Sequence, residues 1–136
     1  MYVASLHPSH REHAELALRC GKHVLVEKPI CMTADDARFL YELGREKGLF
    51  VGEGMWTRFF PVVEWVRTKL GRGPNDGGIG TVRAVQCDFC IDGTDVGPYP
   101  SDSLYDKELG GGSAWTLLPY PLGQCIMPFG KAPSGV

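Results

Sequence analysis

The fold of this chain is indicated most clearly by one short run, HVLVEKP at residues 23–29. Gly21 before it is a natural helix stop, and the apolar residues Val24 to Val26 have strand character. Pro29 has no N–H group to continue a sheet ladder, so it ends the strand. Lys28 is therefore predicted at the carboxyl edge of a sheet, where open α/β sheets bind their ligands. A Glu-Lys dipeptide by itself is more often a surface feature. Whether Glu27 and Lys28 have a functional role therefore has to be judged from the neighbouring elements.

Strands and helices alternate on both sides of this run. The predicted elements are a strand at residues 1–6, a helix from Ser9 to Cys20, the strand at 23–27, a helix from Thr33 to Gly48 and a strand at 49–53. Ser9 and Glu12 have the spacing of a capping box, and Thr33 is a second N-cap candidate. This alternation predicts a parallel sheet with right-handed crossovers.

The second half of the chain is less regular. Its predicted elements are a helix at 61–70, a glycine-rich boundary or inserted loop at 71–80, a long strand at 81–90 that begins a second sheet, an extended loop at 92–109 and an apolar segment at 110–129. Pro119 and Pro121 predict that a helix in the last segment is broken, because proline costs about 3 kcal/mol in a helix interior.

Composition excludes several classes of function. The 136 residues are 43% hydrophobic, which suits one globular domain or parts of two. A net charge of −2 without a Lys/Arg stripe argues against nucleic-acid binding. No apolar run approaches the roughly 20 residues of a membrane helix, and the first residues lack the positive region of a signal peptide. We expect a soluble, cytoplasmic protein.

The five cysteines have an odd number and irregular spacing, which indicates reduced thiols instead of a disulfide framework. Cys87 and Cys90 form a C-x-x-C pair inside the predicted strand at 81–90. Residues three apart on a strand point to opposite faces, and no second C-x-x-C or His pair completes a zinc site. We therefore expect no metal site.

Polar clusters follow the three predicted parallel strands. They lie at His7–His10, at Glu27–Pro29 and at Glu53–Arg58. Successive parallel strands bring such ends to one edge, where aromatic rings, Arg and Lys could hold a flat, phosphorylated cofactor. Capping or surface roles stay open for His7 and His10, and core packing stays open for Trp56.

Three motifs carry a resemblance to a known family: Ser5–His10, Gly21–Pro29 and Gly110–Gly112. Through them the chain resembles the glucose-fructose oxidoreductase and inositol dehydrogenase family of NAD(P)-dependent enzymes. The segment Trp56–Pro61 is similar to the branch with dimeric dihydrodiol dehydrogenase and NADP-dependent D-xylose dehydrogenase. The implied fold is α/β: residues 1–55 form the C-terminal half of a Rossmann-like parallel sheet, and residues 56–136 begin an α+β substrate and dimerisation domain.

The resemblance also implies roles for individual residues. Lys28 and Tyr120 would be the catalytic proton-transfer pair, because oxidation of an alcohol requires a base for the hydroxyl proton. The implied cofactor-binding residues are Leu6, His7, His10, Glu27, Lys28, Pro29, Trp56 and Arg58. The implied cofactor is NADP or NAD, the substrate is a sugar or a trans-dihydrodiol, and a full-length version would be a homodimer.

The sequence departs from the family pattern in two places. The glycine-rich turn that cradles the pyrophosphate after the first Rossmann strand is missing. Thr116 stands where the family usually has an aspartate, and Leu118 stands where it has a glycine. We therefore expect a fragment of a nicotinamide-dependent oxidoreductase. The alternative is a non-catalytic remnant that acts as a binding or oligomerisation module of a full-length relative.

Overall fold

A computed structural model describes residues 1–91 and 105–129 of the chain. The chain divides into two compact units. The described part of the first unit comprises residues 1–55 and 105–116, and that of the second comprises residues 56–91 and 117–129. The helices are α1 (His10–Arg19), α2 (Ala34–Glu46), α3 (Pro61–Lys69), α4 (Ser113–Thr116) and α5 (Pro119–Ile126).

A parallel sheet organises the first unit, as the alternating pattern predicts. Its strands are β1 (Tyr2–Val3), β2 (Val24–Val26) and β3 (Val51–Glu53), in the order β1-β2-β3. Tyr2 lies beside Leu25, and Val24 lies beside Val51. The strands are shorter than predicted, but the main-chain ladder continues past β2, since the N–H of Glu27 donates to the carbonyl of Val3 at 2.8 Å.

Helices α1 and α2 supply the apolar core that covers this sheet. The core is formed by Val3, Ala14, Ala17, Leu18, Val24, Val26, Ile30, Cys31, Leu40 and Leu43. Helix α1 ends before Gly21, whose φ of 71° lies in the left-handed region that favours glycine. Helix α2 begins after Thr33, whose hydroxyl oxygen accepts the N–H of Asp36 at 3.1 Å, so this predicted N-cap is confirmed.

The capping box predicted at Ser9 is wrong. A 3₁₀ turn at His7–Ser9 runs directly into α1, so Ser9 has helical dihedral angles (φ −88°, ψ −7°) and makes no side-chain capping bond. A capping side chain needs an extended residue at the helix start, and the preceding turn removes that conformation.

In the second unit, a 3₁₀ turn at Trp56–Phe59 leads into α3, and α5 is followed by a 3₁₀ turn at Met127–Phe129. The predicted break in the apolar segment at 110–129 is confirmed: α4 ends at Thr116, and α5 starts at Pro119. Proline is tolerated there because the first N–H groups of a helix have no intrahelical partner.

The strand predicted at 81–90 is wrong. Residues 81–91 have no regular secondary structure, and most of them are exposed. An alternating pattern forms a strand only when a neighbouring strand satisfies its N–H and C=O groups, and no strand of the described chain pairs with this segment. Residues 92–104 of the predicted loop lie outside the described residues. Within the described ranges, no helix has the length and apolarity to cross a membrane.

Candidate active site

Lys28 follows β2 at the carboxyl edge of the sheet and is partly buried. Its side-chain nitrogen donates to the carbonyl oxygen of Thr116 at 2.5 Å. Burial lowers the pKa of Lys28 because it disfavours the charged form, and the carboxylates of Glu27 and Glu53 oppose this effect. The strand end therefore holds an ammonium group whose proton is bound less tightly than in a free lysine.

Glu27 is held by its neighbours on the same edge. One carboxylate oxygen accepts the hydroxyl hydrogen of Tyr2, and the other accepts the N–H of Lys28 at 3.2 Å. The peptide bond from Lys28 to Pro29 is cis. The chain after β3 approaches closely, because the N–H of Gly54 donates to Val26 at 2.6 Å.

His7 lies at the end of β1 and contacts a backbone carbonyl distant in sequence. Its Nδ1 atom lies 2.9 Å from the carbonyl oxygen of Gly110, which can only accept, so Nδ1 carries the hydrogen. Burial is the largest cause of the lowered pKa of His7. Gly110 has a φ of 74°, and a Cβ atom there would lie 2.9 Å from the His7 ring. Only glycine satisfies both constraints, which explains one position of the triplet seen in the sequence.

His10, the first residue of α1, has no exposed surface. Its Nδ1 atom lies 2.8 Å from the carbonyl oxygen of Pro29, and its Nε2 atom lies 2.9 Å from that of Ser5. The rings of His7 and His10 meet edge to face with their centroids 5.6 Å apart. His10 thus ties the loop after β1 to the loop after β2.

The residues added by the structure are Tyr2, Glu53 and the carbonyl groups of Gly110 and Thr116. Glu53 ends β3, and its Oε1 atom accepts the N–H of Ile30 at 2.9 Å. The position of Glu53 at the end of a predicted strand was a usable signal for it. The sequence could not indicate the carbonyl groups of Gly110 and Thr116 as contacts, since every residue has a carbonyl group.

Trp56 and Tyr120 meet within the second unit. The indole Nε1–H of Trp56 donates to the hydroxyl oxygen of Tyr120 at 3.0 Å. Phe60 packs edge to face on Trp56 at 5.0 Å, and Phe89 lies 4.9 Å from the Tyr120 ring. Arg58 is exposed in the same 3₁₀ turn as Trp56. The structure therefore brings the predicted residues Trp56 and Tyr120 into contact, and it adds Phe60 beside Trp56 and Phe89 beside Tyr120.

The predicted site residues thus fall into two groups. The first unit holds Leu6, His7, His10, Glu27, Lys28 and Pro29, and the second unit holds Trp56, Arg58 and Tyr120. Within the described residues, no group of three His, Cys, Asp or Glu side chains is arranged to hold a metal ion.

The first group fits the nicotinamide end of a dinucleotide. Leu6 is 52% exposed beside the end of β1 and offers an apolar surface. Lys28 offers an ammonium donor at the end of the neighbouring strand. A flat ring with hydroxyl groups on its ribose needs this combination of apolar surface and fixed donors.

Comparison with known proteins agrees with this geometry. Residues 1–55 match the model of an oxidoreductase family with an NAD-binding Rossmann fold. A trans-1,2-dihydrobenzene-1,2-diol dehydrogenase from Xenopus laevis is 36% identical over 137 residues, which cover 100% of this chain and 39% of the relative. This chain belongs to that oxidoreductase family. The resemblance inferred from the motifs, including its branch, is confirmed.

Two further comparisons agree with this result. A D-xylose 1-dehydrogenase (NADP(+)) from Hypocrea jecorina is 36% identical over 127 residues, which cover 90% of this chain and 32% of the relative. The structure of GenD2 from gentamicin A biosynthesis in complex with NAD superimposes with a TM-score of 0.73 over 96% of this chain and 35% of that chain. Its sequence identity of 23% supports the fold alone. The chain spans about two fifths, or less, of the length of the relatives named here.

Proposed function

We propose that this chain is the central segment of an NAD(P)-dependent dehydrogenase that oxidises a CH–OH group of a sugar or a trans-dihydrodiol. The observation that supports the proposal most strongly is the partly buried ammonium group of Lys28 at the carboxyl edge of a parallel sheet. Parallel α/β sheets bind cofactors and substrates at this edge. The dihydrodiol and D-xylose dehydrogenases among its relatives support this substrate class.

Lys28 and Tyr120 are the proposed proton-transfer pair. When bound, a nicotinamide supplies the hydride acceptor or donor. The substrate hydroxyl would pass its proton to the phenolate oxygen of Tyr120 as the C–H bond gives up the hydride to the nicotinamide, and Lys28 would stabilise the developing negative charge on the substrate oxygen. A partly buried ammonium suits this task because charges interact more strongly away from water. Trp56 orients Tyr120 by its 3.0 Å hydrogen bond.

The other proposed binding residues have simpler tasks. Leu6, His7 and Pro29 line the nicotinamide side, Glu27 sets the charge next to Lys28, His10 supports the surrounding loops, and Trp56 and Arg58 line the cofactor and substrate pocket. NADP or NAD is the proposed cofactor, and the complete protein is proposed to be a homodimer. The five cysteines are free, which fits a cytoplasmic location.

Turnover by the longest product of the gene tests the proposal. NADP⁺-dependent oxidation of D-xylose and of a trans-dihydrodiol is measured for the parent protein and for Lys28→Met. We expect Lys28→Met to lower kcat by about 10²- to 10⁴-fold, the usual contribution of a positioned proton-transfer group. Lys22→Met is the matched control, because Lys22 is exposed. Equal kcat values in Lys28→Met and Lys22→Met would exclude the proposed role.

A second candidate function is a binding module of a full-length relative. Strand β1 lies at an edge of the sheet, and a cavity of about 410 Å³ opens between β1 and α1. Exposed apolar side chains lie along it, including Tyr2 at 57% and Leu16 at 62% exposure. An open strand edge next to apolar surface can accept a strand and a helix of another chain.

Sedimentation of this chain mixed with a full-length dihydrodiol dehydrogenase tests the second candidate. We expect a complex that Leu16→Glu weakens and that the exposed control Arg45→Glu on α2 leaves intact. A chain that stays monomeric in the mixture removes this candidate.

A further inference from the structure

The peptide group between Pro29 and Ile30 is held on both of its polar sides by side chains. His10 Nδ1 lies 2.8 Å from the Pro29 carbonyl oxygen, and Glu53 Oε1 accepts the Ile30 N–H at 2.9 Å. These two groups belong to the same peptide unit, which follows the Lys28–Pro29 peptide bond. The side chains come from different elements, since His10 begins α1 and Glu53 ends β3.

The His10 side of this peptide is buried, and the Glu53 side is partly buried. His10 is 0% exposed and Ile30 is 8% exposed. A buried peptide group must find hydrogen-bond partners, and loss of a partner is expensive because water does not replace it. The hydrogen bonds to His10 and Glu53 therefore hold this peptide group firmly in place.

Lys28 is anchored on its other side as well. The N–H of Glu27 donates to the Val3 carbonyl at 2.8 Å, and the N–H of Lys28 donates to the Glu27 carboxylate at 3.2 Å. The backbone around Lys28 thus has fixed points before and after it. The fixed backbone defines the position from which the Lys28 side chain extends to the Thr116 carbonyl, to which its nitrogen donates at 2.5 Å.

We propose that His10 and Glu53 are positioning residues that place the Lys28 ammonium group by clamping the Pro29–Ile30 peptide. This inference rests on the proposed role of Lys28. The two residues act on Lys28 through the backbone of Pro29 and Ile30. Nδ1 of His10 must carry a hydrogen to bond the Pro29 oxygen, and Nε2 must carry one to bond the Ser5 oxygen, because a carbonyl oxygen can only accept.

Two pairs of variants separate positioning from general stability. Asparagine at position 10 has its amide nitrogen near the place of Nδ1, whereas glutamine has it near the place of Nε2. His10→Asn therefore keeps the bond to Pro29 and loses the bond to Ser5, and His10→Gln does the reverse. Each variant keeps a donor at one of the two carbonyl groups and loses the contact with the other, so urea unfolding is expected to give similar free energies. Glu53→Gln keeps an acceptor for the Ile30 N–H, and Glu53→Ala removes it.

The first readouts need no enzyme activity and use the chain itself. In an isotope-labelled sample, His10→Gln is expected to shift the Lys28 side-chain 13Cε resonance, assigned by its loss in Lys28→Met, and His10→Asn is expected to leave it in place. Glu53→Ala is expected to speed hydrogen exchange at the Ile30 amide by about ten- to hundredfold, and Glu53→Gln by much less. A 15N spectrum that shows no hydrogen on His10 Nδ1, or identical Lys28 shifts in both His10 variants, would overturn the inference.

Turnover of the longest gene product separates this inference from the proposed function. We expect His10→Gln to lower kcat by about ten- to hundredfold with little change in KM, since small misplacements of a catalytic group are costly. His10→Asn is expected to keep most of kcat. Equal kcat values for both variants in an active parent overturn the clamp alone. An inactive parent with the expected spectra overturns the dehydrogenase proposal and leaves the placement of Lys28 by the clamp supported.

Discussion

The side-chain nitrogen of Lys28 lies 2.5 Å from the carbonyl oxygen of Thr116, although 88 positions separate the two residues. The family resemblance implies an aspartate at the position that Thr116 occupies in this chain. A backbone carbonyl here partners the ammonium group, and this partner does not depend on the side chain at position 116. The lost carboxylate therefore does not leave Lys28 without an acceptor.

Gly110 is expected to tolerate no side chain. Gly110→Ala combines a left-handed backbone with a Cβ atom 2.9 Å from the His7 ring. Gly21 has nearly the same φ, 71°, and open space around its Cβ position. We expect urea unfolding to show a loss of about 1 kcal/mol for Gly21→Ala from backbone strain. Gly110→Ala should lose about 3 kcal/mol, because overpacking adds to that strain. Equal losses would contradict the contact with His7.

Two candidate helix caps are expected to differ in their contributions. Thr33→Ala removes a hydroxyl that accepts the Asp36 N–H, so it should lower the free energy of unfolding by about 1 kcal/mol. Ser9→Ala should change it by less than about 0.5 kcal/mol, because Ser9 makes no capping bond. Thermal or urea unfolding of both variants checks the difference. A larger loss for Ser9→Ala would restore the capping box that the structure rejects.

Cys31 is expected to resist alkylation. Its side chain is 5% exposed, and burial raises its pKa from 9.0 to about 11. The thiolate is the reactive form, so at pH 8 iodoacetamide should modify Cys31 about a hundredfold more slowly than the exposed Cys20 and Cys90. Mass spectrometry of timed samples measures the rates, and the unfolded chain in urea serves as the control. Equal rates in the folded chain would show that Cys31 is accessible.

The raised pKa of Cys31 also predicts that the free energy of unfolding falls at high pH. The folded state favours the neutral thiol, so this contribution to stability is present below pH 9.0 and is lost as the pH rises through about 11. Cys31→Ala should reduce the slope of the unfolding free energy in this window.

His7 is expected to weaken the fold in acid. Its pKa is lowered from 6.5, mainly by burial, so the unfolded chain binds the proton more readily. The unfolding free energy should therefore fall as the pH drops below 6.5 toward the folded pKa. His7→Asn keeps an N–H donor for Gly110 and cannot be protonated, so its unfolding free energy should fall less between pH 7 and pH 5. Urea unfolding at these two pH values measures the change. An unchanged slope would show that His7 does not contribute.

Much of the first unit could be predicted from local signals. Gly21 and Pro29 bracket β2, and Thr33 marks the start of α2, because glycine, proline and capping residues act on their own neighbours. The same reasoning failed at residues 81–90, because an alternating pattern needs a partner strand that no local signal supplies. It failed at Ser9 because the preceding turn changed the conformation that a cap requires.

The sequence by itself determined that this chain forms a parallel α/β sheet, that Lys28 ends a strand at its carboxyl edge, and that the chain belongs to an NAD-binding oxidoreductase family. Helix breakers, hydrophobic spacing and short motifs depend on residues that are close together in the sequence, so they can be recognised without coordinates. Only the tertiary structure decided that Lys28 contacts Thr116, that His7 contacts Gly110, and that His10 and Glu53 hold one peptide group. The physical reason is that most of these partners are backbone groups. Every residue carries a carbonyl, so only the folded chain selects which one a side chain meets.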